Sequence, residues 1–112
     1  MNIKSTLIAA AALATALSAT TSANAAQEQT QVHHQTLEVQ GVNVFYREAG
    51  SQEAPTVLLL HGFGASTHMF RELIPQLAQK YHVIAPDLPG FGQTTVLPNV
   101  KFNYTFDNLT SV

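Results

Sequence analysis

Two short stretches carry the residue types from which a reaction site could be built. The first is His61-Gly62-Phe63-Gly64, directly after an apolar run; the second is Asp87-Leu88-Pro89-Gly90-Phe91-Gly92, directly after another. His61 can serve as a proton shuttle or organise its loop through hydrogen bonds to backbone, and Asp87 can act as a general base or as a loop brace. Gly62, Gly64, Gly90 and Gly92 allow tight turns and close approach of backbone to a bound group. A negative oxygen developing during a reaction would need fixed N–H donors, and glycine-bearing loops can supply them. The adjacent pair His33-His34 lacks further ligands at workable spacing, so these are expected as surface histidines and no metal site is expected.

The elements that must position these loops follow from pattern. Leu37 and Val39, then Val42, Val44 and Tyr46, alternate on either side of Gln40-Gly41, which predicts a two-strand hairpin beginning at Thr36. The segment Gly50–Pro55 reads as a turn. The unbroken apolar run Thr56–Leu60 suits a strand covered on both faces, as in a parallel sheet. Beyond the first glycine loop, Thr67 is a plausible N-cap. Met69, Phe70, Leu73, Ile74, Leu77 and Tyr81 then form one apolar helix face, with a kink or weakened turn expected at Pro75. A second buried strand is expected at His82–Ala85, completing a βαβ unit, followed by a loop from Gln93 to Tyr104 and a helix capped by Thr105. The fold class is therefore α/β, a hairpin followed by a βαβ unit. Its sheet edges are open, as in an incomplete fold.

The first residues read as an export signal. Lys4 gives a positive start, Leu7–Leu17 is uninterrupted Leu, Ile, Ala and Thr, and Ala23-Asn24-Ala25 is a small-x-small cleavage pattern. The expected division is a signal peptide at 1–25, a flexible mature N-terminus at 26–35 and the α/β unit at 36–112. The expected destination is the periplasm or the exterior, with no membrane association after cleavage. The chain has 112 residues, no Cys and a net charge of −2. No disulfide or thiolate metal site can form. Without a Lys/Arg stripe there is no electrostatic footprint for nucleic acid, and the loop matches neither common phosphate-binding glycine motif.

From about Thr36 to Val112 the two glycine loops and their flanking strands make the chain resemble the α/β-hydrolase family. The resemblance implies that the backbone N–H of Phe63, the residue after His-Gly, contributes to an oxyanion hole. It implies loop-organising roles for His61, Gly62, Gly64, Asp87, Gly90 and Gly92, and aligns Thr94 with the family's usual Ser. In this family the nucleophile follows a later strand, often within a glycine-x-serine-x-glycine turn, and the acid and His come after it. That pattern does not occur in these 112 residues; Ser66 in Gly64-Ala65-Ser66 lies in the wrong loop to be the nucleophile.

Met69–Tyr81, the Asp87–Gly92 run and Tyr104-Thr105-Phe106 look most like the haloalkane dehalogenase and epoxide hydrolase group. Phe63 stands where dehalogenases usually carry a halide-binding Asn, and Gly64 where epoxide hydrolases usually carry Pro. A serine esterase or carbon–carbon hydrolase therefore stays open. The expected function is an exported hydrolase of ester, epoxide or carbon–halogen bonds, acting on a small molecule without a cofactor. The chain is expected to stop before its nucleophile, acid and base and to be inactive alone. The alternative is a non-catalytic α/β binding module derived from the hydrolase front half.

Overall fold

The computed structural model describes residues 21–28 and 30–112. The expected signal run at Leu7–Leu17 lies outside the described residues, and the expected cleavage pattern falls where residues 21–28 are helical. No helix among the described residues is long and apolar enough to cross a membrane.

Strand β1 (His33–Val39) and strand β2 (Val42–Ala49) form the expected antiparallel hairpin, with Val39 opposite Val42. Gln40 and Gly41 both hold positive φ, 50° and 80°, which is the type I′ turn that matches strand twist in a two-residue loop. The hairpin starts earlier than the alternation indicates. His33, His34 and Gln35 pair with Glu48, Arg47 and Tyr46, so three residues assigned to a flexible tail are strand. The polar side chains of this outer strand mask a pairing that its backbone makes in full.

Strand β3 (Thr56–Leu58) and strand β4 (His82–Pro86) are parallel, and β4 also pairs antiparallel with β2. The sheet order is β1-β2-β4-β3, and the hairpin followed by a βαβ unit is present as expected. β3 is shorter and less covered than its apolar run suggests: Leu58 and Leu60 are more than half exposed. Its only partner among the described residues is β4, and only Leu59 of the run's end packs against the core of Ala49, Ile74, Ala78, Val83 and Ala85. One face of the strand is covered and the other is open.

The crossover between β3 and β4 is two pieces rather than one helix. A 3₁₀ turn (Thr67–Phe70) is capped by Ser66, not Thr67, and helix α1 (Leu73–Leu77) follows. Pro75 explains the division. It has no N–H to give to the carbonyl four residues back, so a continuous α-helix would leave Arg71 unpaired. The third position of α1 is instead a place where a missing N–H goes unnoticed, because the first-turn donors have no intrahelical partner. The helical pattern is thus interrupted at Arg71 and Glu72, ahead of Pro75, and the core is reached by Ile74 and Ala78.

The stretch expected as pure loop contains a two-residue strand, β5 (Thr95–Val96), paired with Asn43 and Val42 on the side of β2 that β4 also uses. Helix α2 (Phe106–Ser111) begins where expected, its Thr105 hydroxyl accepting from the Asn108 N–H, with Asp107 in the first turn.

Candidate active site

The two glycine loops are a matched pair of turns. In Gly62-Phe63-Gly64-Ala65 the Ala65 N–H donates to the Gly62 carbonyl at 3.2 Å, and Gly64 has φ 74°. In Leu88-Pro89-Gly90-Phe91 the Phe91 N–H donates to the Leu88 carbonyl at 3.0 Å, and Gly90 has φ 88°. A positive φ at the third position only, with Pro at the second position of one turn, defines type II. Gly64 has open space where a Cβ would stand, so backbone conformation alone calls for glycine there. Gly62 has neither a positive φ nor a neighbour within 4 Å.

His61, 5% exposed, joins the first residues of both turns. Its Nε2 receives the Leu88 N–H at 3.0 Å, so that nitrogen is the acceptor. The proton is therefore on Nδ1, which donates to the Gly62 carbonyl at 2.9 Å. Both ring nitrogens are occupied by backbone, leaving none for shuttling a proton. Asp87, 1% exposed, closes the other end of the first loop. Its Oδ1 accepts from the Thr67 N–H at 2.7 Å and its Oδ2 from the Gln93 N–H at 2.8 Å. A Cβ at Gly92 would run into that carboxyl group, so this glycine is required for close approach.

Phe45 in β2 anchors the second loop at both ends. It lies between the stretches of β2 that pair with β4 and with β5. Its carbonyl accepts from the Asp87 N–H at 2.8 Å, and its own N–H donates to the Thr94 hydroxyl at 2.9 Å. The Thr94 hydroxyl in turn donates to the Asp87 carbonyl at 2.6 Å. Two residues not singled out in the sequence, Phe45 and Arg47, join this frame. Arg47 donates from Nε to the Thr67 hydroxyl at 3.1 Å, while its Nη1 meets His34 Nε2 at 2.9 Å. The available signal for Arg47 was that it is the one cation in a strand rich in apolar residues. Its partner depends on the fold bringing β2 beside the 3₁₀ turn.

Held this way, Phe63 is 98% exposed, and its N–H makes no hydrogen bond among the described residues. Its ring meets Phe91 edge-to-face at 5.6 Å, and Phe91 meets His61 in the same manner at 5.5 Å. Beside them a cleft of about 890 Å³ opens, walled by Phe63, Pro89, Gly90, Phe91, Tyr104 and Phe106. No group of three or more His, Cys, Asp or Glu able to hold a metal occurs among the described residues.

Comparison with known proteins places this arrangement. The alpha/beta hydrolase fold family model matches residues 55–111, which takes in both turns and α2. The chain belongs to the alpha/beta hydrolase fold family. It is 61% identical over 69 residues to an uncharacterized hydrolase of Saccharomyces cerevisiae, covering 62% of this chain and 23% of that protein. It is 44% identical over 71 residues to a haloalkane dehalogenase of Bradyrhizobium diazoefficiens, covering 63% and 22%. Among solved structures it superposes on the Cif epoxide hydrolase of Acinetobacter nosocomialis with a TM-score of 0.63 at 30% identity, covering 71% of this chain and 24% of that one. This member of the family thus resembles the dehalogenase and epoxide hydrolase group and spans about a quarter of the length of the relatives it matches.

Proposed function

We propose that these residues form one arm of a hydrolase active site, in which the Phe63 N–H stabilises the negative oxygen of a reaction intermediate. The observation that carries this reading is the unpartnered Phe63 amide on a type II turn fixed at both ends, by His61 to Leu88 and by Asp87 to Thr67. Donors of this kind work because they are already oriented when charge develops. His61, Gly62, Gly64, Asp87, Gly90 and Gly92 hold the loops and do not touch the reacting atoms. The reaction is hydrolysis of an ester, epoxide or carbon–halogen bond in a small molecule. Its nucleophile, acid and base lie outside these 112 residues, no cofactor takes part, and the chain alone is inactive. The polypeptide is exported after cleavage following Ala25, to the periplasm or the exterior.

The turn itself supplies the test. Proline suits the second position of a type II turn and has no N–H. In the complete hydrolase, Phe63→Pro should lower kcat by about 10²- to 10³-fold, whereas Phe63→Ala, which keeps the donor, should not. Equal kcat in both variants would defeat the assignment. The chain alone, given p-nitrophenyl acetate, should show no turnover; turnover abolished by Ser66→Ala would place the nucleophile within it.

A further inference from the structure

We infer that the cleft beside Phe63 receives a flat, uncharged aromatic group of the substrate, an inference that rests on the hydrolase reading of this site. Four of the residues walling the cleft are aromatic: Phe63, Phe91, Tyr104 and Phe106. None of its walls carries Lys, Arg, His, Asp or Glu. An anionic ligand would lose its hydration there and gain no counter-charge. An uncharged one loses little.

The rings are also disposed to receive another ring. Phe63 packs on Phe91 edge-to-face at an interplanar angle of 77°. Tyr104 is braced edge-to-face by Phe102 at 4.9 Å. Phe63 and Phe106 are 98% and 87% exposed, so most of their ring surface is open to a guest. Offset-stacked and edge-to-face contacts add to area burial for an aromatic guest, and a saturated guest of the same size gains area burial alone. The Phe63 side chain then reads the substrate while its own N–H serves the reacting oxygen, which ties ring recognition to the site of charge development.

Three probes of matched size separate the alternatives: benzamide, cyclohexanecarboxamide and benzoate, titrated into the full chain and followed by NMR. Benzamide should bind about two- to tenfold more tightly than cyclohexanecarboxamide, with benzoate the weakest. Phe63→Ala should close the gap between the two amides, while Leu37→Ala, on exposed β1, should preserve it. Phe63 is so exposed that its replacement leaves the fold intact, which circular dichroism checks. Equal binding of the two amides, tightest binding of benzoate, a gap unchanged by Phe63→Ala, or no binding at all would overturn the inference. Binding needs no turnover, so failure of the hydrolase reading would show in the kcat comparison and not in these titrations.

Discussion

Replacing Asp87 by Asn exchanges one carboxylate oxygen for an NH₂ group and should release one end of the Phe63 turn. The carboxylate accepts two backbone N–H groups, from Thr67 at 2.7 Å and Gln93 at 2.8 Å, in a site only 1% exposed. An Asn side chain has a single oxygen. Whichever way it points, one backbone N–H faces an NH₂ group and loses its acceptor, in a buried contact at Thr67 or a part-buried one at Gln93. A hydrogen bond to a charged group contributes about 1.5–3 kcal/mol, and a stranded buried donor costs about 1–3 kcal/mol. The local loss is then about 3 kcal/mol, since the two figures overlap. At 1.4 kcal/mol per factor of ten, amide hydrogen exchange at one of the two positions should speed up by roughly 100-fold. The control amides are built in. Leu88 is held by His61 and Phe45 by Thr94, so both should change far less. Asp87→Ala should release both Thr67 and Gln93. If both amides exchange at the original rate in Asp87→Asn while circular dichroism is unchanged, the carboxylate is not what holds the loop.

Other perturbations probe the remaining contacts. Thr94→Val strips the hydroxyl from the buried link between Phe45 and Asp87, and the urea midpoint should fall by the equivalent of about 2 kcal/mol, with Thr94→Ser retaining the original value. Gly92→Ala puts a methyl group against the Asp87 carboxyl and should speed exchange at Gln93, whereas Gly64→Ala meets open space and should cost only about 1–2 kcal/mol of backbone strain in thermal melts. Thr105→Ala removes the α2 cap and should reduce helical circular dichroism with a cost of about 1 kcal/mol.

The features legible in the sequence are those set by neighbours along the chain. Gln40-Gly41 dictates its own turn, Thr105 caps the helix it precedes, and Gly64 and Gly90 mark positive φ within four-residue turns. Features that depend on distant partners were not legible. β5 has two residues, too few to display any alternation, and it exists because β2 has an unused stretch beside Asn43. His33–Gln35 looks like a polar tail because an outer strand can be polar on both faces. The apolar spacing from Met69 to Tyr81 is compatible with one helix, and only the missing Pro75 donor divides it. Arg47 reads as a surface charge until the fold sets it against Thr67, and the cleft's aromatic walls come from three separate segments.

The bonds that fix the Phe63 turn share one property that bears on function. They run from His61 to Leu88, from Asp87 to Thr67 and Gln93, from Thr94 to Phe45 and from Arg47 to Thr67. Nearly all involve backbone on at least one side, so they set main-chain position more tightly than side-chain identity. That suits the donor role proposed for the Phe63 amide, because an amide moves only if the main chain moves. It also leaves the Phe63 side chain free of structural duty, its ring almost wholly exposed beside a cleft. A residue whose backbone is fixed and whose side chain is unconstrained can vary in substrate recognition without disturbing the donor. The chain is similar both to a haloalkane dehalogenase and to an epoxide hydrolase, whose names record different substrates, as such a division of labour between amide and side chain would allow.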